Sequence, residues 1–137
     1  MLYAEIISGL WIGEIDIIYN KKFLQDNNIT VIINCTINYQ FNDLPDIKNI
    51  RVPLSDNLWN NIDSLRQNKD KILSFIDESL EHNNIVIACY DGKTLSPFII
   101  SLYLIHYGNI NKSEIKKIIQ SKNTQISMDY ELSLLDL

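Results

Sequence analysis

The stretch Ile85-Val-Ile-Ala-Cys89-Tyr-Asp-Gly92-Lys-Thr-Leu95-Ser96-Pro97 decides the fold of this chain. A β-branched run ends in a cysteine, a glycine-containing loop follows, and an apolar helix begins a few residues later. A strand and a helix joined so closely force the backbone between them to curl, so that successive N–H groups converge in front of the sulfur. Because such a point attracts an oxyanion, the stretch predicts a phosphate-binding loop.

The composition limits the kind of protein that carries this loop. The 137 residues with 46% hydrophobic content predict a single globular domain over residues 1–137. A net charge of -5 argues against a nucleic-acid partner, because such proteins need a basic surface to neutralise phosphates. The start Met1–Glu5 turns acidic at once, and no apolar run approaches the roughly 20 residues of a membrane span.

These features predict a cytoplasmic or nuclear location. The frequent Ile, Asn and Lys favour an AT-rich genome, viral or other, as the source. Cys35 and Cys89 are expected to be free thiols because nothing indicates secretion. Cys35 follows a buried strand and is expected in the core. His82 and His106 lack metal-ligand spacing, and we expect no metal and no cofactor.

The remaining chain alternates between strand and helix patterns. Strands are predicted at 5–7, 10–13, 29–34, 50–54 and 85–88. Helices are predicted at 16–27 with Asp16 as cap, at 62–80, from Leu95 or Ser96 to Tyr107 with Pro97 in the first turn, from Asn111 or Ser113 through Ile119, and at 129–135. The strand at 29–34 is β-branched at nearly every position, which indicates burial on both faces. The pattern predicts an α/β domain with a central mixed or parallel sheet and helices on both faces.

The loop resembles the H-C-x-x-G-x-x-R-S signature of the cysteine-based protein phosphatases. Cys89, Gly92 and Ser96 stand in register with that signature. Ala88 stands where the family has histidine, and Leu95 stands where it has arginine. The loop therefore indicates the fold more directly than it indicates an activity.

Three other segments extend the resemblance in the right order and spacing. Residues 10–13 resemble the family's opening strand and turn, residues 28–36 resemble the strand after its first helix, and residues 52–56 resemble the segment with its general acid. The chain is similar to the small dual-specificity phosphatases, a group that includes compact poxviral enzymes. The alternative is an unrelated α/β domain with a chance cysteine loop.

The resemblance implies three catalytic positions. Cys89 would be the nucleophile that attacks phosphorus, Asp56 the general acid that protonates the leaving oxygen, and Ser96 the hydroxyl that aids release of the thiolate. The implied phosphate loop runs from Cys89 to Ser96 and contains Tyr90, Asp91, Gly92, Lys93, Thr94 and Leu95.

The departures from the signature predict weak chemistry. Arginine binds two oxygens of one phosphate with a planar fork and keeps its charge, and Leu95 does neither. By analogy with arginine fingers, this change alone removes about 10³–10⁵ in rate, or about 4–7 kcal/mol of transition-state stabilisation. Ala88 cannot order the loop or help to depress the thiol pKa, and Asp91 adds a nearby negative charge. In addition, residues 125–130 replace the Pro-Asn pair that usually braces the loop.

Each implied role has a structural alternative. Cys89 could be a buried small hydrophobe, and Asp56 a turn or cap residue. Lys93 could replace the missing arginine or be a solvated loop lysine. We therefore expect a pseudophosphatase that binds, or competes for, a phosphorylated or unphosphorylated protein partner. The rivals are a weakly active phosphatase that uses Cys89 and Asp56, and a binder of a smaller anion such as a phosphoinositide or nucleotide headgroup.

Overall fold

The protein was analysed as a computed structural model that describes residues 1–137, with five strands and four α-helices. The strands are β1 (Tyr3–Ile7), β2 (Leu10–Glu14), β3 (Ile29–Asn34), β4 (Lys48–Arg51) and β5 (Asn84–Cys89). The helices are α1 (Lys21–Asp26), α2 (Leu58–Leu80), α3 (Leu95–His106) and α4 (Lys112–Lys122). Two 3₁₀ segments, Ile15–Tyr19 and Leu132–Asp136, complete the chain.

The strands form one mixed sheet in the order β1-β2-β5-β3-β4. β1 pairs antiparallel with β2, whereas β2, β3, β4 and β5 are parallel to one another. The β-branched residues of β3 and β5 are buried, as expected for strands covered on both faces. The predicted α/β fold with a mixed sheet is confirmed, and β5 places Cys89 at the carboxyl end of the middle strand.

Two hydrophobic cores lie on opposite faces of the sheet. The larger core has 28 buried residues, drawn mainly from the sheet and from α2, α3 and α4, and it contains Cys35, Cys89 and Leu95. The smaller core has 9 buried residues, from the first 3₁₀ segment, α1 and the other sheet face, and it contains Ala88. Ala88 and Cys89 therefore face different layers. None of the helices has both the length and the apolar content needed to cross a membrane.

The helix predicted at 16–27 is wrong in its start and its continuity. Residues Ile15–Tyr19 form a 3₁₀ turn, and the α-helix begins only after Asn20. The Asn20 side chain accepts a hydrogen bond from the Phe23 amide at 3.0 Å, which makes Asn20 the cap in place of Asp16. A side-chain acceptor in the middle of the predicted helix thus ends one turn and starts another.

Two further boundaries differ from the prediction. The strand predicted at 50–54 occupies Lys48–Arg51 instead, since Pro53 has no N–H to donate to a sheet. The last predicted helical piece is the 3₁₀ segment Leu132–Asp136. At the start of α4 the open choice of cap is decided for Asn111, whose side chain accepts from the amide of Ser113 at 3.2 Å.

Candidate phosphate-binding site

The candidate site lies between the end of β5 and the start of α3. Cys89 ends the strand, Leu95 begins the helix, and residues 90–94 form the connection. Carboxyl ends of parallel strands and amino ends of helices are where α/β proteins bind anions, because free N–H groups meet there. Thr94 at the helix cap makes no side-chain capping bond.

Cys89 and Ser96 lie in direct contact at the base of the loop. The Ser96 amide donates to the Cys89 sulfur at 3.3 Å, and the Ser96 hydroxyl lies 3.2 Å from it. Both residues are fully buried. The sequence register thus brings the implied nucleophile and its supporting hydroxyl together.

The surroundings of Cys89 favour the neutral thiol. Burial raises the pKa of the Cys89 thiol, and the negative charge of Asp91 raises it further. The bonds from Ser96 and from the Gly92 amide lower the pKa but do not offset burial. A thiol is a nucleophile only as its thiolate. Because the pKa of Cys89 is raised, its sulfur is in the unreactive thiol form at neutral pH.

Alkylation tests this conclusion. In a Cys35→Ala variant, reaction of Cys89 with iodoacetamide should be slow at pH 7 and should accelerate as the pH rises beyond about 8.5, the ordinary value for cysteine. The direction follows because a raised pKa delays thiolate formation to higher pH. Mass spectrometry of the Cys89 peptide against pH gives the profile, with a free cysteine peptide as reference. A reactivity plateau already reached below pH 7 would show an activated thiol.

Gly92 holds the loop against the neighbouring strand. Its backbone has φ +72°, a conformation that side-chain-bearing residues rarely adopt. A Cβ atom at this position would lie 2.7 Å from the Glu14 nitrogen and 2.9 Å from the Gly13 carbonyl carbon. The loop can therefore approach β2 only because residue 92 is glycine.

Asp91 forms a hydrogen bond with one backbone amide of the phosphate loop. Its carboxylate accepts a hydrogen bond from the Lys93 N–H at 2.9 Å. An incoming anion must therefore compete with a carboxylate of the same chain. The Lys93 side chain is exposed and forms no ion pair within the protein, which agrees with its interpretation as a solvated lysine.

Leu95 replaces the clamp with an apolar contact. Its side chain is 3% exposed and belongs to the larger core, together with Phe98 and Met128. The position that carries arginine in the resembled signature thus faces the interior rather than an anion. Lys93 is the one cationic residue from 89 to 96.

Asp56 lies in an exposed loop before α2 and makes no hydrogen bond within the chain. The helix cap is its neighbour Asn57, whose side chain accepts from the Trp59 amide at 3.0 Å. The buried Asn61 fixes the loop by accepting from the Ser55 amide at 3.0 Å and donating to the Ser55 carbonyl at 2.8 Å. Asn57 rather than Asp56 therefore caps the helix, and Asp56 lies in the bend before it with its carboxylate exposed to solvent.

Tyr90 connects the phosphate loop to two other loops, a role that the sequence did not reveal. Its hydroxyl donates to the Leu54 carbonyl at 2.8 Å and accepts from the Ile37 amide at 3.1 Å. Its ring lies edge-on to Tyr39, with 6.2 Å between centroids. The loop with Asp56 and the loop after β3 are thus tied to the residue that follows Cys89.

The segment at 125–130 still braces the phosphate loop, although by a different contact. The Met128 amide donates to the Lys93 carbonyl at 3.2 Å, with Met128 at φ +49°. The Tyr130 ring packs edge-on against Phe98, and its hydroxyl lies 3.1 Å from that of Ser101. A backbone amide of this segment therefore contacts the phosphate loop, whereas the resemblance implies a side-chain brace from a Pro-Asn pair that this segment lacks.

A central parallel strand that ends in cysteine, a tight glycine loop and a following helix define a cysteine-phosphatase class of fold. Residues 10–135 match the family described as dual specificity phosphatase, catalytic domain. The chain belongs to this family.

Known proteins show how far the similarity extends. The chain is 28% identical over 130 residues to human dual specificity protein phosphatase 6. The alignment covers 93% of this chain but 33% of that protein. It therefore spans about a third of that relative. A putative tyrosine-protein phosphatase of Amsacta moorei entomopoxvirus is 30% identical over 110 residues. The alignment covers 74% of this chain and 63% of the viral protein. The crystal structure of human DUSP28 shares the fold at a TM-score of 0.85 and 13% identity, covering 98% and 90% of the two chains.

Proposed function

We propose that this protein is a pseudophosphatase: a catalytically impaired member of the dual-specificity family that binds, or competes for, a phosphorylated or unphosphorylated protein partner. The observation that carries the proposal is the burial of Leu95 at the arginine position. Phosphoryl transfer spreads negative charge over three oxygens, and its catalysis is mostly positioning and electrostatic stabilisation. A leucine in the core supplies neither.

The thiol and the loop charges support the same conclusion. Burial and Asp91 both raise the pKa of Cys89, so that the thiolate is scarce at neutral pH. The carboxylate of Asp91 also takes the Lys93 amide that an anion would need. The loop therefore opposes a dianion at the place where an active site would attract one.

The site nevertheless keeps the shape of a binding surface. Gly92 permits the tight loop, and the Met128 amide braces it. Ile37, whose amide donates to the Tyr90 hydroxyl, is 51% exposed, and Trp59, three residues after Asp56, is 67% exposed. Exposed apolar and aromatic side chains favour a protein partner over a small anion.

A weakly active phosphatase is the second candidate. It is favoured by the contact of the Ser96 hydroxyl with the Cys89 sulfur and by the freedom of the Asp56 carboxylate. A thiolate formed at high pH would meet a supporting hydroxyl. Binding of a small anionic headgroup is a third candidate, and it depends on the amides that Asp91 leaves free.

Hydrolysis of para-nitrophenyl phosphate separates the first two candidates. We expect the wild type, Cys89→Ser and Asp56→Asn to show the same rate, within the error of the blank. If Asp56 worked as a general acid, its removal would lower a measurable rate by about 10²–10⁴. Turnover in the wild type that Cys89→Ser abolishes would favour the enzyme.

A titration monitored by NMR addresses binding itself. A phosphotyrosyl peptide and its unphosphorylated twin are added separately, and the amide signals of Gly92 and Lys93 are followed. The proposal expects shifts near the loop with at least one peptide, and the comparison shows whether the phosphate contributes. The absence of shifts with both, at any soluble concentration, would remove the loop from the binding surface.

A further inference from the structure

A second site lies at the open edge of the sheet, away from the phosphate loop. A groove of about 400 Å³ runs between β4 and α2. Its apolar lining comes from both elements and from the segments beside them: Ile33, Ile50, Val52, Pro53, Leu65, Ile72 and Phe75. The groove contains no residue of the loop from Cys89 to Ser96. It is therefore separate from the candidate phosphate-binding site.

The edge strand beside this groove has unpaired backbone groups. β4 is the last strand of the sheet and pairs only with β3. The Val52 amide, just after β4, donates to the Asn34 carbonyl at the end of β3. Because backbone polar groups alternate along a strand, those of Asn49 and Arg51 point away from β3, and no other element bonds to them.

The charged residues that line the groove, Arg51 and Lys71, are positive, whereas the chain as a whole is negative. The protein has 17 acidic and 12 basic residues, yet none of the 11 groove residues is acidic. Lys71 lines the groove, and the Lys48 ammonium lies 5.2 Å from the centre of the Phe75 ring. Neither lysine forms an ion pair.

We propose that this groove binds an extended peptide that adds a strand to β4, places alternate apolar side chains against α2 and carries acidic residues near Lys48 and Lys71. An added strand gains affinity from backbone hydrogen bonds and specificity from pockets for alternate side chains. The open edge supplies the first, and the apolar groove supplies the second. The unpaired lysines select negative charge over positive charge. The inference does not depend on the proposed pseudophosphatase role.

A designed fluorescent peptide tests the proposal on the full chain. Valine and isoleucine alternate with threonine over seven positions, and a glutamate stands at each end. We expect saturable binding by fluorescence anisotropy, at least tenfold weaker when lysines replace the glutamates. Backbone N-methylation on the edge-facing side should abolish binding, because it removes the strand hydrogen bonds. Hydrogen exchange at the Asn49 and Arg51 amides should slow when the peptide is bound.

Charge reversal on the protein supplies the matched control. The double change Lys48→Glu and Lys71→Glu should weaken binding at least tenfold. The double change Lys116→Glu and Lys117→Glu alters the net charge equally on exposed, unpaired residues of α4 and should change binding less than twofold. Equal losses in both variants, no loss in either, or no binding at any soluble concentration would overturn the proposal. Exchange protection at Gly92 instead of Asn49 would also overturn it, by placing the peptide at the phosphate loop.

Discussion

Replacing Leu95 by arginine should raise Cys89-dependent hydrolysis of para-nitrophenyl phosphate from the level of the blank to about tenfold above it or more. By analogy with arginine fingers, the missing arginine accounts for about 10³–10⁵ in rate, and only part of this should return. The sulfur, Gly92 and Ser96 are already in place, so that a bidentate clamp would meet an assembled loop. The remaining deficit lies in the thiol, whose pKa is still raised by burial.

The same substitution should cost stability. Leu95 is buried in the larger core, and an unpaired charge there destabilises a domain by about 3–5 kcal/mol. Thermal melts must therefore accompany the kinetics. Leu95→Lys is the matched control, because it carries the charge without the planar fork and should restore less activity at a similar loss of stability. A folded Leu95→Arg protein as inactive as the wild type would show that the missing arginine is not the main defect.

The double variant Ala88→His with Leu95→Arg should hydrolyse para-nitrophenyl phosphate faster than the product of the two single gains, since both positions act on the phosphate loop. Ala88 is fully buried in the smaller core, on the opposite sheet face from Cys89. A larger side chain there overpacks the core at about 1–3 kcal/mol. The double variant is thus expected to be the most active and the least stable of the series. A product of single effects would contradict cooperation across the strand.

Gly92→Ala should lower the free energy of unfolding by about 2–5 kcal/mol, which combines backbone strain with a collision in the packed interior. The added Cβ would lie within 2.9 Å of backbone atoms of Gly13 and Glu14, and these cannot move without shifting β2. Urea denaturation followed by circular dichroism gives the value.

Gly9→Ala is a control that separates the two contributions. Gly9 also has a positive φ, at +81°, but its added Cβ would meet the Asn84 side-chain oxygen at 2.8 Å. A side chain can move aside where a strand cannot. Gly9→Ala should therefore cost about 1 kcal/mol, mostly strain. Equal losses in the two variants would show that the contact of the loop with β2 contributes little.

The central part of the fold could be predicted because local and global signals agree there. The β-branched runs that became β3 and β5 have no competing helical pattern, and the cysteine at the end of β5 fixes the direction of the loop. The prediction was wrong around Asn20, where one side-chain hydrogen bond divides an apparently continuous helix. Competition between a side chain and the backbone for an amide leaves no trace in hydrophobic periodicity.

In the candidate site, only residues at positions that match the family signature could be predicted. The resemblance implied that Cys89 and Ser96 act together, and the structure places them in contact. The bond from the Met128 amide to the Lys93 carbonyl joins residues 35 positions apart through an irregular segment. Likewise, the occupation of the Lys93 amide by Asp91 depends on the local loop conformation. Such contacts arise from tertiary placement, which residue types alone do not specify.

The Tyr90 hydroxyl, which joins three loops, has a consequence for the thermodynamics of association. A partner that binds a flexible cleft must order it, at a cost of about 0.5–1.5 kcal/mol for each immobilised side chain. Here Leu54 and Ile37 are already held to the residue beside Cys89. Much of that entropy is therefore lost during folding rather than during binding. Loops fixed in this way favour the proposed binding role, because they need little further ordering when a partner arrives.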